Sequence, residues 1–248
     1  MCDIPNPFGG PVYRFETVGS TMDEAERLTD EGAPHGTVVV ADHQSRGQGR
    51  VTGRQWESEP GESLMFTLVL DSAVSGNPLK RPYPLMAALA VCGGIEETAA
   101  GARIKWPNDI LINGRKCAGI LCRTRKRLVH VGVGINCLQS AFSGSYRYRP
   151  TSLFLASGRS VSPIELLSPV LKSLYRQFSE PFRKDEFTRR MYGLGSRCGV
   201  YRGLPGRGEE LEGTITGISD RGELLFRRES DSGIVSIASG EIARIDIH

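Results

Sequence analysis

KWPNDILINGRKCAGIL, residues 105–121, decides how the rest of the chain is read. Asn113-Gly114 is a dipeptide that suits a two-residue hairpin turn, because both central positions need positive φ. Residues 110–112 and 117–122 are then antiparallel neighbours, and Lys116 begins the return strand within reach of Asp109. Lys105, Asn108, Asp109 and Lys116 share one hairpin, so two cations, an amide and a carboxylate face one pocket. Such a pocket suits a negatively charged small molecule that is activated and then handed to an amine. Singly, each residue has a structural account: Lys105 at a strand end, Trp106 packed beneath it, residues 107–109 a turn. Their clustering is what points to chemistry.

Upstream, residues 37–41 and 63–70 read as buried strands, and Thr21 with Glu24 has capping-box spacing for a helix beginning at Ser20 or Thr21. Between those strands lies a loop, residues 43–61, with Arg46, Arg50 and Arg54 interleaved with Gly47, Gly49 and Gly53. Glycine lets backbone approach an anion and arginine supplies forked donors, so the loop is read as an anion cradle or as a solvated loop. It lacks the P-loop spacing. Trp56 either stacks on a purine or caps the core. Downstream, residues 82–100 have helical spacing and end at Gly101, and residues 127–136 form a further strand. Asn136 closes that strand as a turn residue or as a polar group aimed into the pocket. Residues 138–160 read as loop, and residues 163–178 and 183–191 as helices. After about Cys198 short apolar segments punctuated by glycine indicate a small all-β barrel appended to an α/β body.

At 248 residues the chain holds one sizeable core and a small second unit. Charged residues are 24% and the net charge is +3, which excludes disorder and gives no bulk signal for nucleic acid. The N-terminus has neither the basic start nor the apolar core of a secretory signal, and no run approaches the ~20 apolar residues of a membrane span. A cytoplasmic protein is expected, without membrane partners. The six cysteines form no Cys-x-x-Cys pair and read as buried thiols. The four histidines share no ligand spacing, so no tightly held metal is expected.

Ser20-Thr21 opening a helix, Gln44 before a Gly/Arg loop closing on Trp56, KWPND, GRKCAGIL at 114–121 and GVGIN at 132–136 together resemble the biotin protein ligases. The resemblance implies an α+β fold: a mixed-sheet catalytic domain of the biotin/lipoate ligase type over residues 1–195, and an SH3-like β-barrel over 196–248. It implies that biotin and ATP, with Mg2+, give biotinyl-5′-adenylate and pyrophosphate, after which a lysine of a biotin carboxyl carrier domain displaces AMP. The catalytic residues implied are Lys116, Asp109 and Arg50. The biotin site would comprise Ser20, Thr21, Met22, Gln44, Gly47, Gln48, Gly49, Arg50, Lys116 and Gly119. The nucleotide site would comprise Arg50, Arg54, Trp56, Lys105, Asn108 and Asn136.

The loop departs from the family's usual Gly-Arg-Gly-Arg pattern: Gln48 stands at the second position, and Thr52 is an extra residue. Arg46 is expected to supply the missing charge. Only 19 residues precede Ser20, so the winged helix-turn-helix of repressor-type relatives, and with it a nucleic-acid partner, is not expected. Monomer and homodimer stay open. The rival substrates are lipoate or octanoate on a related scaffold. The rival from another class is a nucleic-acid binder with Arg46, Arg50 and Arg54 on phosphates and Trp56, or Tyr146 and Tyr148, stacking on bases.

Overall fold

The computed structural model describes residues 4–50, 53, 55–75, 81–144, 146, 148–203 and 209–246. Strand β1 (Val12–Val18) is followed by helix α1 (Thr21–Asp30) and by β2 (Val38–Gln44), which runs parallel to β1. Then come β3 (Ser63–Asp71), the short α2 (Ser72–Ser75), α3 (Tyr83–Ile95), β4 (Arg103–Lys105), β5 (Asp109–Ile112), β6 (Arg115–Arg125) and β7 (Leu128–Asn136). These seven strands form one mixed sheet in the order β1-β2-β3-β7-β6-β5-β4, every pair but the first antiparallel. Three helices follow, α4 (Leu153–Ser157), α5 (Pro163–Ser179) and α6 (Lys184–Arg190).

Period-two alternation on β3 divides the sheet into two faces. Leu64, Phe66, Leu68 and Leu70 enter the main core with α3 and α5. Val69, on the opposite face, packs with Val39 of β2 and with Ala25 and Leu28 of α1. With both faces covered, β3 reads as a continuous apolar run. Each large side chain buried this way contributes roughly 1.5–3 kcal/mol.

The Asn113-Gly114 turn is as expected, with φ of 51° and 72°. Helix α3 is shorter than its sequence pattern, because the chain turns after Ile95 and the amides of Thr98 and Ala99 both donate to the Ile95 carbonyl. Strand β1 lay outside the sequence reading. It is a half-exposed edge strand whose Tyr13 and Phe15 alternate with Arg14 and Glu16.

The C-terminal strands are β8 (Arg197–Arg202), β9 (Glu209–Ile218), β10 (Leu224–Arg228), β11 (Ile234–Ile237) and β12 (Gly240–Asp246). They correct the expected SH3-like barrel. The strands form an open antiparallel sheet, β11-β10-β9-β8-β12, and among the described residues no ladder joins the edges β11 and β12. The physical reason lies on β12. Its pairing with β8 shifts register between Ile242 and Arg244, and there the Tyr148 hydroxyl lies within hydrogen-bond distance of the Ile242 and Ala243 carbonyls. Arg50 Nη2 donates to Gly240 O at 2.8 Å. Carbonyls along β12 therefore bond to the main body rather than to β11. A second tie is Trp106, buried in the core, whose Nε1 donates to Gly222 O at 3.0 Å.

Five described cysteines are unpaired, and among the described residues no helix is long and apolar enough to cross a membrane. Two imidazoles are held neutral by burial. His130, fully buried on β7, has its pKa lowered from 6.5, and His35, whose Nδ1 accepts the Asp71 amide at 3.0 Å, is lowered too. Glu26, Asp30 and Asp71 oppose these shifts without reversing them. As pH falls below about 6.5 the unfolded chain takes up protons that the folded chain refuses, so stability present above that pH is lost on the way down to the depressed folded values. The thermal midpoint is expected to fall between pH 7 and the start of carboxylate titration, and to fall less in His130→Gln. Equal slopes for the two proteins would contradict this.

Candidate active site

On the α1 face of the sheet, the helix N-terminus and residues of β2, β3, β6 and β7 line a cleft. Ser20 caps α1, its hydroxyl accepting the Met22 amide at 3.2 Å. Gln44, at the end of β2, accepts the Thr21 amide at 2.7 Å through Oε1. Two otherwise orphaned helix donors are thus satisfied, and Ser20 and Gln44 are brought side by side. Thr21 does not cap the helix: its hydroxyl accepts from Thr67 of β3 at 3.0 Å.

The floor is bare backbone. Gly119 of β6 and Gly134 of β7 are direct cross-strand partners, and the Trp56 indole lies on them. A Cβ on Gly134 would stand 2.7 Å from Trp56 Cε2, so the indole reaches this depth only because no side chain is there. Trp56 Nε1 is buried and has no hydrogen-bond partner among the described residues.

At the far end Lys116 Nζ sits 2.6 Å from Asp109 Oδ1, both side chains partly exposed. Asp109 pairs with Gly119 across β5 and β6. Lys116 is also fixed by its backbone, its amide donating to Arg149 O and its carbonyl accepting from the Thr151 amide. Lys105 is buried, with Nζ 3.5 Å from the Tyr148 ring centroid.

Of the residues singled out in the sequence, Ser20, Thr21, Met22, Gln44, Gln48, Gly49, Arg50, Lys116 and Gly119 all line the main cleft. Gly47 lies behind Trp56 and lines a separate polar cavity. Arg50, Trp56, Lys105, Asn108, Asp109 and Lys116 line an adjoining cavity, with Glu241 of β12 as an unforeseen wall. Asn136 lines a fourth with Trp56, Lys116 and Tyr148, but its amide is engaged, donating to Thr151 O at 2.9 Å. Asn108 likewise donates to Ile120 O at 2.7 Å. Arg54 falls outside the described residues. The main cleft and the cavity with Glu241 adjoin, sharing Gly49, Arg50, Trp56, Asn108 and Lys116 as walls.

The sequence reading missed Thr67, Gly132 and Gly134 as cleft residues. The signal was available: glycine at alternate positions of a strand bares one face of it. Among the described residues no three His, Cys, Asp or Glu side chains are grouped to hold a metal.

The biotin/lipoate A/B protein ligase family matches residues 15–139, and the biotin protein ligase C terminal domain matches residues 203–244. The chain is 36% identical to the bifunctional ligase/repressor BirA of Bacillus spizizenii, over 93% of this chain and 73% of that protein. This chain belongs to the biotin protein ligase family. The ligase is also 30% identical to the biotin–[acetyl-CoA-carboxylase] ligase of Paracoccus denitrificans, over 88% of this chain and 95% of that one. Among solved structures, the biotin protein ligase from Aquifex aeolicus in complex with biotin and ATP superposes on it with a TM-score of 0.79 at 30% identity, covering 95% of this chain and 99% of that one.

Proposed function

We propose that the main cleft and the cavity adjoining it carry out both steps of the ligase reaction: biotin and ATP give biotinyl-5′-AMP and pyrophosphate, and a lysine of a biotin carboxyl carrier domain then takes the biotinyl group. The observation that carries this reading is the position of Lys116. Its ammonium borders the cavity that contains Ser20 and Gln44 and the one that contains Lys105 and Arg50. In the first step a biotin carboxylate oxygen bonds to the α-phosphorus while the bond to the β-phosphate oxygen breaks. That step brings two anions together, and Lys116 and Arg50 neutralise them in a partly dry site.

Ser20, Thr21, Met22, Gln44, Gln48, Gly49 and Gly119 hold biotin in this reading, with Gly47 giving the loop its close approach. Arg50, Arg54, Trp56, Lys105, Asn108 and Asn136 hold the nucleotide. The closed floor at Gly119 and Gly134 and the caps on α1 support the first assignment. Magnesium arrives on the nucleotide, whose phosphate oxygens and water supply the hard donors it needs. In the second step the lysine amine bonds to the biotinyl carbonyl carbon, the bond to the phosphate oxygen breaks and AMP leaves, with Asp109 receiving the amine's proton. We place the boundary between catalytic and C-terminal units at 195/196, just before β8, in a cytoplasmic enzyme whose unpaired thiols suit a reducing compartment.

The test is direct. The purified chain, given MgATP, is expected to release pyrophosphate only when biotin is added, and to add one biotinyl mass to a carrier domain. Release driven by lipoate in place of biotin, or none with biotin, removes the reading.

A further inference from the structure

Gln48, the departure from the family's loop pattern, has both ends of its amide engaged. Its Nε2 donates to the Asp23 carboxylate, 2.8 Å from each oxygen, and its Oε1 accepts from Arg123 Nη2. Arg123 Nη1 lies 3.4 Å from Glu26 Oε1 and 3.6 Å from Asp23 Oδ1. Asp23 and Glu26 belong to α1 and Arg123 to β6, so the network spans two walls of the cleft with the glycine loop pinned between them. Arg46, expected to supply the loop's missing cation, is exposed, and its guanidinium lies over Gly19, where a Cβ would stand 2.9 Å from Nη2.

The choice of side chain follows from this geometry. A carboxamide offers a donor at one end and an acceptor at the other, so it can bridge a carboxylate and a guanidinium. Arginine at position 48 would donate to Asp23 but could accept nothing from Arg123. The residue at 48 and the cation on β6 therefore specify one another.

We propose that Arg123 is a positioning residue for the ligase reaction: acting through Gln48 and Asp23, it latches the glycine loop over the cleft and retains biotin and its adenylate. This rests on the function proposed above. Exposed ion pairs one at a time are weak, but here Asp23 and Arg123 both hold Gln48, which is also bridged to Gln55. A retained mixed anhydride is also kept from water.

The test measures release of preformed biotinyl-AMP, KM for biotin, kcat and thermal midpoint on the full chain. Arg123→Gln is expected to raise the release rate and the biotin KM by ~10-fold, as for one lost charge-assisted hydrogen bond. Its kcat should stay within about twofold and its midpoint within about 2 °C, the latter as for a surface substitution. Adding Gln48→Arg should restore retention, because the new side chain reaches Asp23 unaided, and should fail to do so when Asp23→Asn is also present. Unchanged release in Arg123→Gln, no restoration by Gln48→Arg, or release rates that track thermal midpoints would each overturn the latch. Absence of biotin-dependent pyrophosphate release in the unaltered chain is a different result, and it removes the functional reading itself.

Discussion

Lys116→Ala is expected to lower biotinyl-AMP formation by ~10²–10³-fold, the range seen when one preorganised charge stabiliser is removed from a transition state. Lys116 borders both cavities of the site, and its backbone is held on each side by Arg149 and Thr151. In the reading proposed above the ammonium therefore meets the reacting oxygens without reorganisation, whereas a water molecule filling its place would have to reorient. The loss should appear in kcat measured by pyrophosphate release. Folding should be spared, because the lysine side chain is 32% exposed and the Asp109 carboxylate left behind keeps access to water. Lys116→Arg is not expected to rescue, since a planar fork cannot replace a compact ammonium set 5.8 Å from the Trp56 ring centroid. Wild-type pyrophosphate release in Lys116→Ala would mean that the reacting carboxylate lies elsewhere.

The hairpin that seats Lys116 was legible because its signal is local. Asn113-Gly114 encodes the turn, which pairs Leu111 with Lys116; a register shift between Ile110 and Leu111 then brings Asp109 opposite Gly119 and within reach of Lys116. Ser20 and Gln44 were legible for a similar reason, as a helix cap and a strand end. What escaped depends on pairs far apart in sequence. Gly119 and Gly134 matter through the side chains they lack, which shows only once Trp56 is laid on them. Gln48 and Arg123 are 75 residues apart, and neither alone implies the other. Closure of the C-terminal sheet depends on whether two edges pair, which no short pattern encodes. Tyr148 and Arg50 bonding to carbonyls of β12 belong to the main body, outside the segment from which a barrel was inferred. Strand β1 shows the opposite failure: its alternation was present, but a half-exposed edge strand has no continuous apolar run to announce it.

Asp109→Asn separates the two steps. An amine attacks only when neutral, so the acceptor lysine must shed a proton on its way to the biotinyl carbon, and in the reading proposed above Asp109 takes it. Asparagine keeps the shape and an acceptor for Lys116 but cannot receive the proton. Transfer from preformed biotinyl-AMP to a carrier domain is expected to fall by ~10²-fold, within the usual span of general-base effects, while pyrophosphate release falls less. Structural damage would slow transfer equally at every pH, whereas a lost base is replaced by hydroxide as the solution approaches the ordinary lysine pKa of about 10.4. The gap between variant and wild type should therefore narrow steadily from pH 7 toward pH 9.5. A constant gap would assign Asp109 to holding Lys116 in place and would leave the proton to another acceptor.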